Sequence, residues 1–144
     1  MLKNVPKNIN PELLKILCEM GHTDEIVIAD GNFPGTSLAQ NIIRCDSTAI
    51  LPLLESVLKL FPLDHAEKAV MVMAAGSEIE GDPEIWREYR EVIKKYEDEK
   101  HTEFLQIERH KFYERAKKSY AIVMTNDGAL YANIILKKGI IKSL

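Results

Sequence analysis

Apolar positions recur along the chain with two periods, one near 3.6 residues and one near 2. Leu13, Leu14, Leu17 and Met20 share one helical face. Asn10-Pro11-Glu12 in front of them supplies a capping acceptor, a first-turn proline and a carboxylate at the positive end of the dipole. The spacing predicts a helix over 11–20, stopped by Gly21. EIVIAD then reads as a buried strand ending at Asp30, and GNFPGTS as a loop, because Gly31, Pro34 and Gly35 break regular structure. Residues 41–45 predict a second strand. Asp46-Ser47-Thr48 offers caps for a helix over 49–60, compatible with Pro52 only if it begins close before it. KAVMVMAA (68–75) predicts a third strand and residues 76–81 a polar loop. Asp82-Pro83-Glu84 opens a longer helix to about Asp98, with Trp86, Tyr89, Val92 and Ile93 in its apolar stripe. EFLQIE (103–108) predicts a short strand and HKFYERAKK (110–118) a short helix. YAIVMT (120–125) and LYANIIL (130–136) read as strands joined through Asn126-Asp127-Gly128, a strong hairpin signal. The alternation predicts one α/β domain over residues 1–144, a mixed and mostly alternating sheet flanked by helices, with the closing hairpin as its antiparallel part.

Composition narrows the function. A chain of 144 residues with 46% hydrophobic positions can build its own core, and a net charge of −3 disfavours broad electrostatic binding to nucleic acid or anionic membrane. No apolar run approaches the ~18–20 residues of a membrane helix, and the N-terminus has no signal-peptide core. Two cysteines, Cys18 and Cys45, form neither a disulfide framework nor a metal motif, so a reduced, cytoplasmic protein is expected.

Four places could carry chemistry. His22 directly follows the helix-ending glycine, where the negative end of the dipole, with Asp24 and Glu25, favours an imidazolium able to donate a proton. The bland alternative is an exposed histidine capping helix carbonyls. Asp30 ends a strand, where α/β sheets bind ligands, and a carboxylate there can accept two hydroxyls; equally, it could cap its own loop. Arg109, His110, Lys111, Arg115, Lys117 and Lys118 form a basic cluster that reads first as a solvated helix face. Tyr131 and Asn133, two apart in the last strand, would point to one face, either toward sugar hydroxyls or as an amphipathic edge. No Walker loop, GxGxxG, HExxH or GxSxG occurs, and the four histidines lack metal-ligand spacing.

PELLKILCEMGHTDEIVIADGNFP, PLLESVLKLFPLD and IERHKFYERAKKSYAIVMTNDGALYANIILKKG, in this order and spacing, resemble the L-fucose mutarotase family and, more distantly, the ribose pyranase branch of its superfamily. The resemblance runs from Pro11 to Gly139. It implies an isomerase that interconverts the α and β anomers of a free sugar, L-fucose above all, without cofactor or metal. It also implies a homo-oligomeric ring, pentameric or decameric, with pockets near subunit contacts. Carried over, it makes His22 the proton donor and Asp30, Arg109, Tyr131, Ala132 and Asn133 substrate-contacting positions, with Tyr113 and Asp64 as further pocket positions. Arg109 stands where the ribose branch has histidine, which points to fucose-type sugars, and Ala132 replaces a more usual glycine.

Mutarotation opens the ring by removing the anomeric proton and protonating the ring oxygen, then closes it on the other face. Trp86, Phe33 and Met73 are candidates by type for an apolar wall against the 6-deoxy methyl. Two rivals share the same residues: a non-catalytic sugar-binding or transport-accessory module, and a structural ring-forming protein. A D-ribose pyranase-type activity is the alternative within the enzyme reading.

Overall fold

The computed structural model describes residues 1–66 and 68–143. Twelve elements follow the expected order with two additions: α1 (Pro11–Glu19), β1 (Glu25–Ala29), α2 (Gly35–Leu38), β2 (Ile42–Cys45), α3 (Ile50–Leu58), β3 (Val70–Met73), α4 (Glu84–Tyr96), a 3₁₀ turn (Glu99–Thr102), β4 (Leu105–Ile107), α5 (Arg109–Lys118), β5 (Ala121–Thr125) and β6 (Ile134–Lys137). The additions are α2, inside the stretch expected to be loop, and the 3₁₀ turn. Pro34 is tolerated in front of α2 because the first helical N–H groups need no partner within the helix.

The strands form one sheet in the order β2-β5-β1-β6-β3-β4. Five run in one direction, and β6 lies antiparallel between β1 and β3. Side chains alternate cleanly between two cores. Ile26, Ile28, Val70, Val72, Ile134 and Leu136 face α1, α3 and α4. Val27, Ala29, Met71, Met73 and Ile135 face α5 and the loop carrying Phe33. The result is helices on both faces of a mostly parallel sheet.

The predicted terminal hairpin does not form. β5 and β6 flank β1 rather than pair with each other, and β6 begins at Ile134, not at residue 130. A type I′ hairpin turn needs positive φ at both central residues, and neither Asp127 nor Gly128 has it. Long-range bonds hold this turn instead. Asp127 Oδ2 accepts the Ile50 N–H at the start of α3, Asp127 O accepts the Gly31 N–H, and Asn126 N–H donates to Thr48 O. Asp127 thereby caps α3 in place of the expected Asp46-Ser47-Thr48. The connection over 126–133 therefore crosses the carboxyl end of β1, where Asp30 stands. Among the described residues, no helix is long and apolar enough to cross a membrane.

Candidate active site

The first half of the site grows from that crossing. Asp30 leaves β1, and Asn133 enters β6 beside it. Asn133 Oδ1 accepts the Asp30 N–H (2.8 Å), and its Nδ2 donates to Asp30 Oδ2 (3.0 Å). Asp30 Oδ1 accepts the Asn32 N–H. Asn133 is buried and Asp30 half-buried, so the carboxylate is fixed from behind. Each oxygen of an ionised carboxylate offers about two lone pairs, which leaves one on each for a hydroxyl.

Tyr131 belongs to the loop, with φ +56°, so it does not share a strand face with Asn133 as alternation predicted. Its placement rests on two residues of α4: Tyr89, expected only in the apolar stripe, and Trp86, expected there and as a candidate wall against the sugar methyl. Trp86 Nε1 donates to Tyr131 O (2.8 Å) and the Tyr89 hydroxyl to Ala132 O (2.5 Å). Trp86 and Tyr89 are fully buried, and burial raises the Tyr89 pKa, so its hydroxyl stays a donor. The signal lay in their chemistry, since a buried Trp or Tyr takes its polar tip to a partner. The Tyr131 hydroxyl accepts the Gly76 N–H and donates to Glu78. Ala132 is fully buried and links the two flanking side chains through its backbone.

The aromatic ring of Phe33 ties Asp30's loop to α5, packing edge-on to Phe112 and Tyr113 (centroids 6.0 and 5.5 Å). Arg109, one turn before Tyr113, is exposed at the same end of the sheet. Trp86, Phe33 and Met73 are all buried in the single chain, and Trp86 is committed to Tyr131 O, so none presents the expected wall. Arg115 leaves the solvated cluster to pair with Glu25 through two bonds of 2.8 and 2.7 Å.

The second half lies elsewhere. His22 precedes β1 and Asp30 follows it. From Asp24 to Asp30 the extended chain spans roughly 20 Å at ~3.3 Å per residue. His22 does not cap α1; Lys138 Nζ donates to Leu17 O (2.8 Å) and Met20 O (2.5 Å) instead. Asp24 is taken by the Gly21 N–H, and Glu25 by Arg115. The imidazole turns to Asp64, with Nε2 3.3 Å from Oδ1. Asp64 is buried, which pushes its pKa up, but the Ala66 N–H, His22 and the Lys137 charge outweigh burial and hold it below the usual carboxylate range. An ionised Asp64 can only accept, so Nε2 carries the hydrogen and Nδ1 of the neutral ring is left as a base.

Thr23, beside His22, has φ +74°, a rare conformation for a β-branched residue. It is fixed by its N–H bond to Lys138 O (2.8 Å). Both halves of the site thus contain a non-glycine residue in left-handed backbone. Such strain costs of order 1–3 kcal/mol. Thr23→Gly is therefore expected to raise stability by about 1 kcal/mol net of the ~0.5–1 kcal/mol entropy penalty of glycine. The check is urea denaturation, where a lower midpoint at unchanged slope would contradict it.

Residues 3–141 match the model of the RbsD / FucU transport protein family. The chain belongs to that family. It is similar to the fucose mutarotase of Streptococcus pneumoniae, solved in complex with L-fucose: 48% identity, 98% of this chain and 100% of that one covered, TM-score 0.91. FucU from Bifidobacterium longum gives 38% identity over 97% and 100% of the two chains, with TM-score 0.91. RbsD of Bacillus subtilis, complexed with D-ribose, shares the fold at 22% identity over 99% of this chain and 100% of that one, with TM-score 0.75.

Proposed function

We propose that the protein is a cytoplasmic, cofactor-independent sugar mutarotase that interconverts the α and β anomers of L-fucose, in pockets shared between neighbouring copies of a ring. The observation that carries the reading is the pair of half-sites. His22 with its orienting Asp64 is an acid–base group without a sugar cradle. Asp30, Asn133, Tyr131 and the Arg109–Tyr113 end of α5 are a cradle whose own histidine, His110, packs edge-on against Tyr113 (centroids 6.5 Å) and, among the described residues, has no carboxylate hydrogen-bonded to its ring to orient it as Asp64 orients His22. A copy presenting its His22 end to the Asp30 end of the next completes both. Such a contact is head-to-tail, and it closes into a ring where the rotation permits. The surfaces suit it. Leu130, beside Tyr131, is 72% exposed. At the other end, His22 borders an apolar groove of about 520 Å³, lined by Leu14, Leu17, Leu60, Pro62, Ile140 and Ile141.

The chemistry needs only proton transfers. Nδ1 of His22 takes the anomeric hydroxyl proton or, as imidazolium, protonates the ring oxygen. Asp30 and Asn133 hold ring hydroxyls and Arg109 orients them, while Tyr113 or Tyr131 lies against the apolar sugar face. Asp64 serves as the orienting partner of His22 rather than as a hydroxyl ligand. The match to a fucose mutarotase holding L-fucose favours that sugar. Arg109 in place of the ribose-branch histidine favours it further. The unpaired Cys18 and Cys45 fit a reducing compartment.

NMR saturation transfer between the anomeric protons of L-fucose tests the reading, with D-ribose and D-galactose alongside. Transfer well above the uncatalysed rate, strongest with L-fucose, is expected. Acceleration of D-ribose alone would move the protein to the pyranase type. No acceleration with any sugar would leave the binding-module reading.

A further inference from the structure

We infer that Glu97, at the end of α4, is a positioning residue that holds Asp64 in reach of His22. The inference rests on the proposed role of His22. Asp64 sits on a short segment, residues 62–66, clamped from two sides. On the sheet side, Asp64 N–H donates to Lys137 O (3.0 Å) and Gly139 N–H to Pro62 O (2.8 Å). The approach is close enough that a methyl at Gly139 would stand 2.5 Å from Leu63 O. On the helix side the clamp is made of side chains. Glu97 Oε1 accepts the N–H of Leu63 (3.0 Å), and Lys100 Nζ donates to His65 O (2.9 Å). The two residues flanking Asp64 are thus each held by a side chain from the α4–3₁₀ corner.

Leu63 is fully buried, so its N–H needs a partner, and a carboxylate makes about twice as strong a bond as a neutral carbonyl. Position matters because the contact it serves is long. At 3.3 Å, His22 Nε2 and Asp64 Oδ1 lie near the outer limit of a hydrogen bond, and a shift of a few tenths of an ångström would break it. Behind Glu97, buried His101 brings Nε2 to 3.9 Å from Oε2, and that nitrogen has no hydrogen-bond partner among the described residues. The corner therefore offers Glu97 no competing strong donor from His101.

The charged groups around the dyad are Asp24 from the turn before β1, Lys137 and Lys138 from the end of β6, His65 from the same segment, and Glu97 and Lys100 behind it. Glu97→Gln keeps an acceptor for Leu63 but removes the charge; Glu97→Ala removes both. With L-fucose exchange as the assay, kcat of Glu97→Ala is expected to fall about 10-fold with KM within about twofold. The titration midpoint of the His22 ring protons is expected to move, with Glu97→Gln close to wild type in both. Unchanged kcat and an unchanged His22 titration in Glu97→Ala would overturn the inference. So would a folded Glu97→Gln that fails to rescue. The ring-proton titration is read without sugar, so it tests the clamp even if the wild type accelerates no anomer exchange.

Discussion

Replacing His22 by alanine is expected to slow enzyme-dependent exchange of L-fucose anomers by about 10²–10⁴-fold, the usual contribution of a positioned general acid–base group. The fold should survive, because the side chain is 51% exposed and α1 is capped by Lys138. The loss should therefore appear in kcat with thermal stability near wild type. Asp64→Asn approaches the same floor by another route. An amide can donate to Nε2 as readily as accept from it, which stabilises the tautomer with its hydrogen on Nδ1 and removes the base proposed to meet the sugar. Saturation transfer on both variants checks this; an Asp64→Asn enzyme with wild-type kcat would mean that Asp64 does not set the tautomer. The pH dependence has a definite sign. Asp64 titrates below the ordinary carboxylate value in the folded protein. The stability it contributes is then present above that ordinary value, ~3.9, and is lost only as pH falls through the lower folded one. A loss of activity between about pH 4 and 7 therefore reports a group other than Asp64.

Much of this was legible one residue at a time. The β-branched run of β1 and the Asn10-Pro11-Glu12 start of α1 act locally, through alternation and capping, and both appear where expected. Asp30 at a strand end was legible for the same reason. What failed were inferences from local signals that distant partners outcompete. Asn126-Asp127-Gly128 carries hairpin chemistry, but Ile50, Gly31 and Thr48 claim its polar groups, and the chain passes over β1 instead. That miss hid the origin of the Asp30–Asn133 pair, which exists because β5 and β6 are not neighbours. The partnership of His22 with Asp64 joins residues 42 apart and depends on β6 holding the Asp64 segment, so no local pattern announces it. The separation of His22 from Asp30 was written between them, in the strand they flank.

That separation yields the second large effect. His22→Ala and Asp30→Ala are each expected to be nearly inactive alone. Mixed one to one, unfolded and reassembled together, they should recover activity. A pocket is intact wherever an Asp30→Ala copy gives its His22 end to the Asp30 end of a His22→Ala copy. Random assembly makes this about one quarter of the head-to-tail contacts, so the mixture should reach roughly a quarter of the wild-type rate per chain. A double variant, His22→Ala with Asp30→Ala, mixed with wild type supplies the control: its contacts gain nothing beyond those between wild-type copies, again about a quarter of the total. Recovery in the first mixture cannot come from a pocket built within one chain, because no chain in it carries both residues. If the mixed rings assemble and stay inactive, the two residues serve the same copy, and the chain must rearrange by some 20 Å on assembly to bring them together. The strand between them, buried on both faces and paired on both edges, makes such a rearrangement far more costly than a contact between copies.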